Sequence, residues 1–135
     1  MSKEASVIVV DVGKFMAESQ IEVAQGAIRA LVQQKLLFTK RDEMGLVVVG
    51  TEESSNPSNA KLPDEYQHIT VARNIEVPNL PFIESISTIS REDAHGDSTF
   101  FSDSLACSEP LFNRKNHAVR LFHALSSLFI HGIIV

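Results

Sequence analysis

Asp11 is the side chain of this sequence best placed to do chemistry, because it lies in a run of mostly apolar residues, Ser6–Val12, typical of a buried strand. Ligands of open α/β sheets bind just beyond the carboxyl ends of strands. A carboxylate followed at alternate positions by two hydroxyls would offer oxygen ligands to a hard cation such as Mg²⁺. Here Gly13 and Phe15 supply no oxygen, and Lys14 adds a positive charge. The pattern favours Asp11 as a hydrogen-bonded structural residue or loop cap, and we predict no metal ligands.

The histidines and the single cysteine are too dispersed to indicate a zinc site. His117 and His123 are six positions apart, which does not place them on one face of a helix. A nucleophilic pair of Cys107 with a histidine is formally conceivable but disfavoured. We interpret the histidines as surface or tail residues. They are His68, His95, His117, His123 and His131.

Nucleotide chemistry is not indicated by any motif. The pattern Gly-x-x-x-x-Gly-Lys-Ser/Thr and the turn Gly-x-Gly-x-x-Gly, which cradle phosphates, are both absent from the sequence. We therefore predict that the chain is not an enzyme and has no catalytic or cofactor-binding residues. The acidic pairs Glu52-Glu53 and Asp64-Glu65 flank a polar loop, where solvation is the favoured interpretation and contact with a partner protein is the alternative.

Charge and composition limit the class of protein. The 135 residues carry a net charge of −5, whereas a free-standing binder of duplex DNA is usually basic. One cysteine allows no intramolecular disulfide, which fits a reducing, intracellular compartment. The longest apolar stretch, Ala124–Val135, is interrupted by polar residues and too short for a membrane span, which needs about 20 residues.

Hydrophobic periodicity predicts an α/β layered fold. A helix that starts with a capping box of Ser19 and Glu22 should cover one face of a sheet through a right-handed crossover. We expect a mobile polar loop over Thr51–Glu65 and a third strand at or near an edge. In chain order, the predicted elements are strand Ser6–Val12, helix Gln20–Leu37, strand Met44–Val49, strand Gln67–Ile75 and helix Leu80–Ile89.

Several short segments, in the right order and spacing, resemble the N-terminal von Willebrand factor A-like domain of the larger (beta) subunit of the Ku heterodimer. The similarity extends from about residue 4 to about residue 89 and stops near residue 96. The segments that carry it are Val7–Gly13, Arg41–Glu43, Val49–Glu52, Asn56-Pro57 and Tyr66–Val71.

The resemblance implies a partial von Willebrand A (Rossmann-like) open sheet with flanking helices over residues 1–96, whose third strand is an antiparallel edge. Residues 97–135 are expected to form a divergent tail, of frameshift, retained-intron or gene-model origin, with a helix near 116–130. The chain would then be truncated. Without the later strands, the first strand would become an exposed edge, which favours aggregation.

The resemblance further implies a role in double-strand-break repair by non-homologous end joining, and in telomere maintenance, in the nucleus. The domain would act as a protein-docking scaffold, with the smaller Ku subunit and repair factors as partners. DNA ends would be bound only by the full-length complex, and we assign no DNA-contacting residue. The alternatives are a free-standing von Willebrand A-type ligand-binding module and a nonfunctional truncated product.

Overall fold

The computed structural model describes residues 4–14, 16–92 and 107, together with the backbone of 118–124 and 130–134. Its helices and strands are β1 (Glu4–Asp11), α1 (Glu18–Phe38), β2 (Glu43–Val49), α2 (Pro57–Lys61), β3 (Ile69–Glu76), α3 (Leu80–Ser87), β4 (Ala118–Ala124) and β5 (Ile130–Ile134). The strands form one mixed sheet in the order β3-β2-β1-β4-β5. The predicted α/β class with an open sheet and flanking helices is confirmed.

β1 and β2 run in parallel at the centre of the sheet, with Ala5 beside Glu43 and Asp11 beside Val49. β3 is antiparallel to β2 and lies at the edge, as the sequence predicted. Irregular pairing around Leu46 interrupts that ladder. The parallel strands all begin at one end of the sheet. We call that end the amino edge and the opposite end, where these strands finish, the carboxyl edge. Both names refer to the ends of the strands and not to the edge strands β3 and β5.

β4 corrects two predictions about the C-terminal part of the chain. It pairs in parallel with β1 along a continuous register, from Glu4 beside Ala118 to Val10 beside Ala124, so β1 is not an exposed edge. The helix expected near 116–130 is wrong where residues 118–124 form a strand, followed by β5 at Ile130–Ile134. The apolar run over 118–124 is too short for periodicity to distinguish a helix from a strand, and pairing with β1 decides in favour of a strand.

Both faces of the central strands are buried, and successive residues contribute to opposite faces as the pleat requires. One face is covered by α1 and α3, which bring Ile21, Val32 and Phe82 against the sheet. The opposite face forms a smaller cluster. Its buried members are Val7, Val9, Val47, Val49, Ile69 and Cys107.

The start of α1 differs from the prediction. The N-cap residue is Ala17, whose N–H donates to Gln20 Oε1 at 2.8 Å, whereas a capping box of Ser19 and Glu22 was expected. Ser19 and Glu22 therefore lie inside the helix, whose first residue is Glu18. Gln20 is three positions beyond the cap and its amide reaches back as a glutamate would, which is the reciprocal half of the same motif.

A small ionic cluster fixes the end of α1 at the amino edge. Lys35 Nζ lies 2.8 Å from Asp42 Oδ2 and 3.3 Å from Glu4 Oε1. The Glu4 N–H donates to Asp42 Oδ1 at 3.0 Å. Burial disfavours the Asp42 carboxylate, but the hydrogen bonds from Lys35 and from Glu4 N–H outweigh it, so the pKa of Asp42 lies below its ordinary value of 3.8. These contacts join α1, β1 and β2 where each begins or ends.

Among the described residues, no helix combines the length and apolar character needed to cross a membrane.

Candidate functional site

The carboxyl edge, where ligands bind in open α/β sheets, is closed by Asp11 and its neighbours. Asp11 Oδ1 accepts a hydrogen bond from Gly13 N–H at 2.8 Å, which confirms the interpretation of this carboxylate as a loop cap. Val12 N–H donates to Val49 O at 2.8 Å and extends the ladder between β1 and β2 beyond the strands. In the part of the chain that the structure describes, no three acidic, histidine or cysteine side chains converge as metal ligands would.

Two glycines let the connections after β1 and β2 touch. Gly50 has φ of +84°, and a Cβ built on it would lie 2.7 Å from both N and Cα of Gly13. The same Cβ would approach Asp11 Oδ1 to 3.2 Å. Any side chain at position 50 would therefore meet backbone that cannot move aside, in a conformation that L-residues rarely adopt. The backbone of Gly13 and Gly50 therefore lies next to the Asp11 carboxylate.

Asn56 organises the long loop that follows Gly50, and it is only 8% exposed. Its Nδ2 donates to Tyr66 O at 3.0 Å and to Ile69 O at 2.9 Å, while its Oδ1 accepts from Asn59 N–H at 2.8 Å and caps α2. Cys107 Sγ also contacts Asn56 Oδ1, at 3.4 Å. The amide thus satisfies Asn59 N–H within the loop and two carbonyls that follow the loop. The loop contains the short helix α2, and its expected mobility stays a prediction.

Tyr66 and His68 adopt left-handed backbone conformations just before β3, with φ of 54° and 59°. His68 is held on both sides, since its N–H donates to Ser54 Oγ at 2.8 Å and its Nδ1 lies 2.8 Å from Thr51 O. A carbonyl oxygen can only accept, so Nδ1 carries the proton. Non-glycine residues in this region are strained and persist where their surroundings fix them. His68 is therefore a half-buried structural residue of the loop.

The Ser55 backbone pairs with the outer side of the edge strand β3. Ser55 N–H donates to Ile69 O at 3.0 Å, and Val71 N–H donates to Ser55 O at 2.8 Å, so this residue pairs with the edge strand. Thr51 Oγ1 and Thr70 Oγ1 are 3.0 Å apart beneath it. The loop consequently protects one end of an edge that would otherwise be open to strand addition.

The segment after α3 returns to the carboxyl edge and contacts the loop that follows β1. Glu92 N–H donates to Val12 O at 2.8 Å, and the Glu92 carboxylate accepts from Glu52 N–H. Arg91 Nη2 donates to Lys14 O at 3.1 Å. Through these contacts, the loops at the carboxyl edge are hydrogen-bonded to one another.

Sequence reasoning found Asp11 and missed Asn56. The Asn56-Pro57 pair did carry a signal, because asparagine followed by proline at the first helical position is a helix-start pattern. Of the residues considered as sites, Asp11, Lys14 and His68 lie at the carboxyl edge, each with a hydrogen-bond partner of its own, and Cys107 contacts Asn56. His123 and His131 are register partners in β4 and β5. Phe15, His95 and His117 lie outside the described residues.

Residues 5–129 match the family model described as the Ku70/Ku80 N-terminal alpha/beta domain. The chain belongs to this family. The match continues past residue 96, where the similarity was expected to stop, and includes β4. The boundary between residues 96 and 97 stays a prediction.

Two relatives place this Ku-type domain more narrowly. The X-ray repair cross-complementing protein 5 of Dictyostelium discoideum is 33% identical over 123 residues, which covers 84% of this chain and 15% of the relative. The ATP-dependent DNA helicase 2 subunit KU80 of Arabidopsis thaliana is 36% identical over 96 residues, covering 71% of this chain and 14% of the relative. The predicted resemblance to the larger Ku subunit is confirmed, and the chain spans about one seventh of the length of these relatives.

A solved structure supports the fold. The VWA domain of SpRpn10 superposes with a TM-score of 0.58 and covers 96% of this chain and 62% of that chain, at 14% sequence identity. At this identity the likeness concerns architecture alone, and it agrees with the von Willebrand A-like sheet predicted from the sequence.

Proposed function

We propose that this chain acts as the N-terminal A-domain portion of a larger Ku subunit, in DNA double-strand-break repair by non-homologous end joining and in telomere maintenance. Its role is that of a protein-docking scaffold within a heterodimer that binds DNA ends in the nucleus. The observation that carries the proposal is the family match over residues 5–129, together with relatives whose names specify repair or a Ku80 subunit.

Charge supports docking as the role of this portion. With a net charge of −5, the chain lacks the excess of lysine and arginine that neutralises phosphates in a duplex-binding surface. We therefore propose that contact with DNA ends and pairing with the smaller Ku subunit depend on the remainder of a full-length Ku chain. The helicase designation of the Arabidopsis relative has no counterpart in a phosphate-binding motif of this sequence.

Retention on linear duplex DNA tests the division of labour. The chain alone and a full-length larger Ku subunit are each mixed with the smaller subunit and an immobilised duplex. We expect the full-length protein to be retained and the chain alone to be lost at physiological salt. Retention of the chain together with the smaller subunit would contradict a role confined to docking.

A chimaera tests the docking role itself. Residues 5–129 of this chain replace the matching segment of the Dictyostelium relative, and joining of a linearised plasmid is measured in cells that lack that relative. Contact with a partner protein is the alternative to solvation for the exposed pair Asp64 and Glu65, and under that alternative their charge reversal should lower joining while DNA-end binding is kept. The same change at Glu22 and Glu84, exposed carboxylates on α1 and α3, is the matched control. Equal effects of both double variants, or no effect of the loop variant, would refute docking through this loop.

A further inference from the structure

Exposed apolar side chains concentrate at the amino edge, away from the loop network described above. Of the described residues, six large apolar side chains are exposed, and four of them lie where α1 ends or where α3 begins. Phe38 is 79% exposed and Leu37 is 70% exposed, on the last turn of α1. Val77 and Leu80 flank the start of α3 with exposures of 43% and 67%. Exposed apolar side chains that lie at one end of a molecule are candidates for an interaction site.

The packing of α1 on α3 brings these four residues to the same level. Arg29 Nη2 donates to Ser87 Oγ at 3.0 Å, and Gln25 Nε2 donates to Ile89 O at 2.5 Å, so the two helices run antiparallel. From Arg29 to Leu37, α1 advances about 12 Å, and from Ser87 back to Leu80, α3 covers about 10 Å in the same direction. Leu37 and Leu80 therefore end at similar heights on the same face of the sheet.

The cations and the carboxylates at the amino edge differ in whether they already form ion pairs. Lys40 and Arg41, in the connection between α1 and β2, are exposed, and no ion pair of theirs is found among the described residues. The carboxylates of Glu4 and Asp42 are bound to Lys35, and that of Glu76 is bound to Arg73. An incoming group therefore meets available cations beside apolar side chains, on a molecule that is acidic as a whole.

We propose that Leu37, Phe38, Lys40, Arg41, Val77 and Leu80, the amino-edge surface, dock an acidic segment of a partner protein that carries apolar side chains. The apolar residues of the partner cover Phe38 and its neighbours, while its carboxylates meet Lys40 and Arg41 at the rim, the usual arrangement of a protein interface. A nucleic acid or an anionic membrane fits less well, because a net charge of −5 repels an extended polyanion. The inference stands on this surface alone and does not require the proposed function.

Titration with two synthetic peptides tests the proposal. The first is an amphipathic peptide of glutamate, leucine and phenylalanine, and the second replaces every glutamate with lysine. Binding to the whole chain is followed by amide chemical shifts. We expect the acidic peptide to shift residues 37–41 and 77–80, and the basic peptide to bind at least about fivefold more weakly. Phe38→Ser, and the pair Lys40→Glu with Arg41→Glu, should each weaken the acidic peptide about fivefold or more, a loss of about 1 kcal/mol.

Val23→Ser is the matched control, because Val23 is 63% exposed on the same helix but lies outside the amino-edge surface. It should leave peptide affinity unchanged, and all variants should melt at the temperature of the parent. Equal weakening by Val23→Ser, equal binding of the basic peptide, or no binding of the acidic one would overturn the proposal. It would also be overturned if residues 37–41 responded to self-association or to phosphatidylserine vesicles and not to the acidic peptide.

Discussion

The two edges of the sheet are stabilised by different kinds of contact. At the carboxyl edge, hydrogen bonds to the backbone dominate, since Asn56, Thr51 and His68 satisfy backbone groups of a long loop. At the amino edge, a lysine joins two carboxylates, and apolar side chains remain exposed nearby. The first kind of contact depends on where backbone groups lie, whereas the second depends on pairs of opposite charges. Substitutions that touch one edge should therefore differ in character from those that touch the other.

Among substitutions at the two edges, the largest effect is expected where backbone approaches backbone at the carboxyl edge. Gly50→Ala forces a Cβ to within 2.7 Å of Gly13 in a left-handed conformation, which should lower the free energy of unfolding by about 3 kcal/mol. The matched control is Gly26→Ala, because Gly26 lies in α1 with nothing within 4 Å of an added Cβ. That change should stabilise the protein by about 0.5–1 kcal/mol. Urea unfolding of both variants measures the difference, and a destabilisation of similar size in each would contradict the close approach.

Two asparagine caps allow the loop network to be separated from ordinary helix capping. Asn56 and Asn79 each accept from the N–H three residues ahead, but only Asn56 also donates to Tyr66 O and Ile69 O. Asn79→Ala should cost about 1 kcal/mol, the usual loss of a cap. Asn56→Ala should cost about 2 kcal/mol because Tyr66 O and Ile69 O each lose a hydrogen bond as well, although Ile69 O keeps the one from Ser55 N–H. Equal losses in denaturant unfolding would show that the extra hydrogen bonds contribute nothing.

The parts of the fold that depend on the pattern of apolar and polar residues could be predicted from the sequence. The apolar run over Ser6–Val12 required burial on both faces, and the structure divides its residues between two apolar clusters. Alternation over Gln67–Ile75 indicated the edge position of β3. The prediction for β4 was wrong because its short apolar pattern fits both helix and strand, and only pairing with β1, more than a hundred residues away in sequence, decides between them.

The candidate site was less predictable because its key residues work through distant backbone. The role of Asp11 could be predicted from its position, because a carboxylate at the end of a strand lies close to the backbone of the turn that follows. Asn56 donates to a carbonyl thirteen residues away, and no local pattern specifies such a partner. The start of α1 was misplaced because two capping patterns overlap there. Ser19 fits the N-cap position of a capping box, whereas in the structure Ala17 is the N-cap and Gln20 is the residue that reaches back to it.

Removal of Lys35 tests the ionic character of the amino edge. Lys35→Met leaves two poorly solvated carboxylates without their cation, which should cost about 1–2 kcal/mol near neutral pH. In the parent, the lowered pKa of Asp42 gives stability that is fully present above 3.8 and is lost as pH falls through the folded-state pKa. The variant lacks the part of this contribution that comes from Lys35, whereas the hydrogen bonds from Glu4 N–H and Thr39 remain, so the difference in stability between the two proteins should shrink in acid. Unfolding curves from pH 7 to pH 3 follow this, with Lys40→Met as the control.

That control is informative because Lys40 is exposed, whereas the Lys35 side chain is only 13% exposed. Lys40→Met should leave the pH dependence of stability as it is in the parent. A constant gap between Lys35→Met and the parent across the pH range would mean that Lys35 acts through packing of its methylene groups and not through charge.

The smallest effect on stability is expected from Phe38→Ser, and it distinguishes an exposed interaction surface from an outlying part of the core. A phenylalanine that is 79% exposed removes little apolar area from water in the free chain, so the substitution should change the free energy of unfolding by less than about 0.5 kcal/mol. Phe82→Ser, at a fully buried phenylalanine of α3, should instead cost more than about 3 kcal/mol. If Phe38→Ser lowered the free energy of unfolding as much as Phe82→Ser, Phe38 would be part of the core. The amino edge would then be packed interior and not an exposed interaction surface.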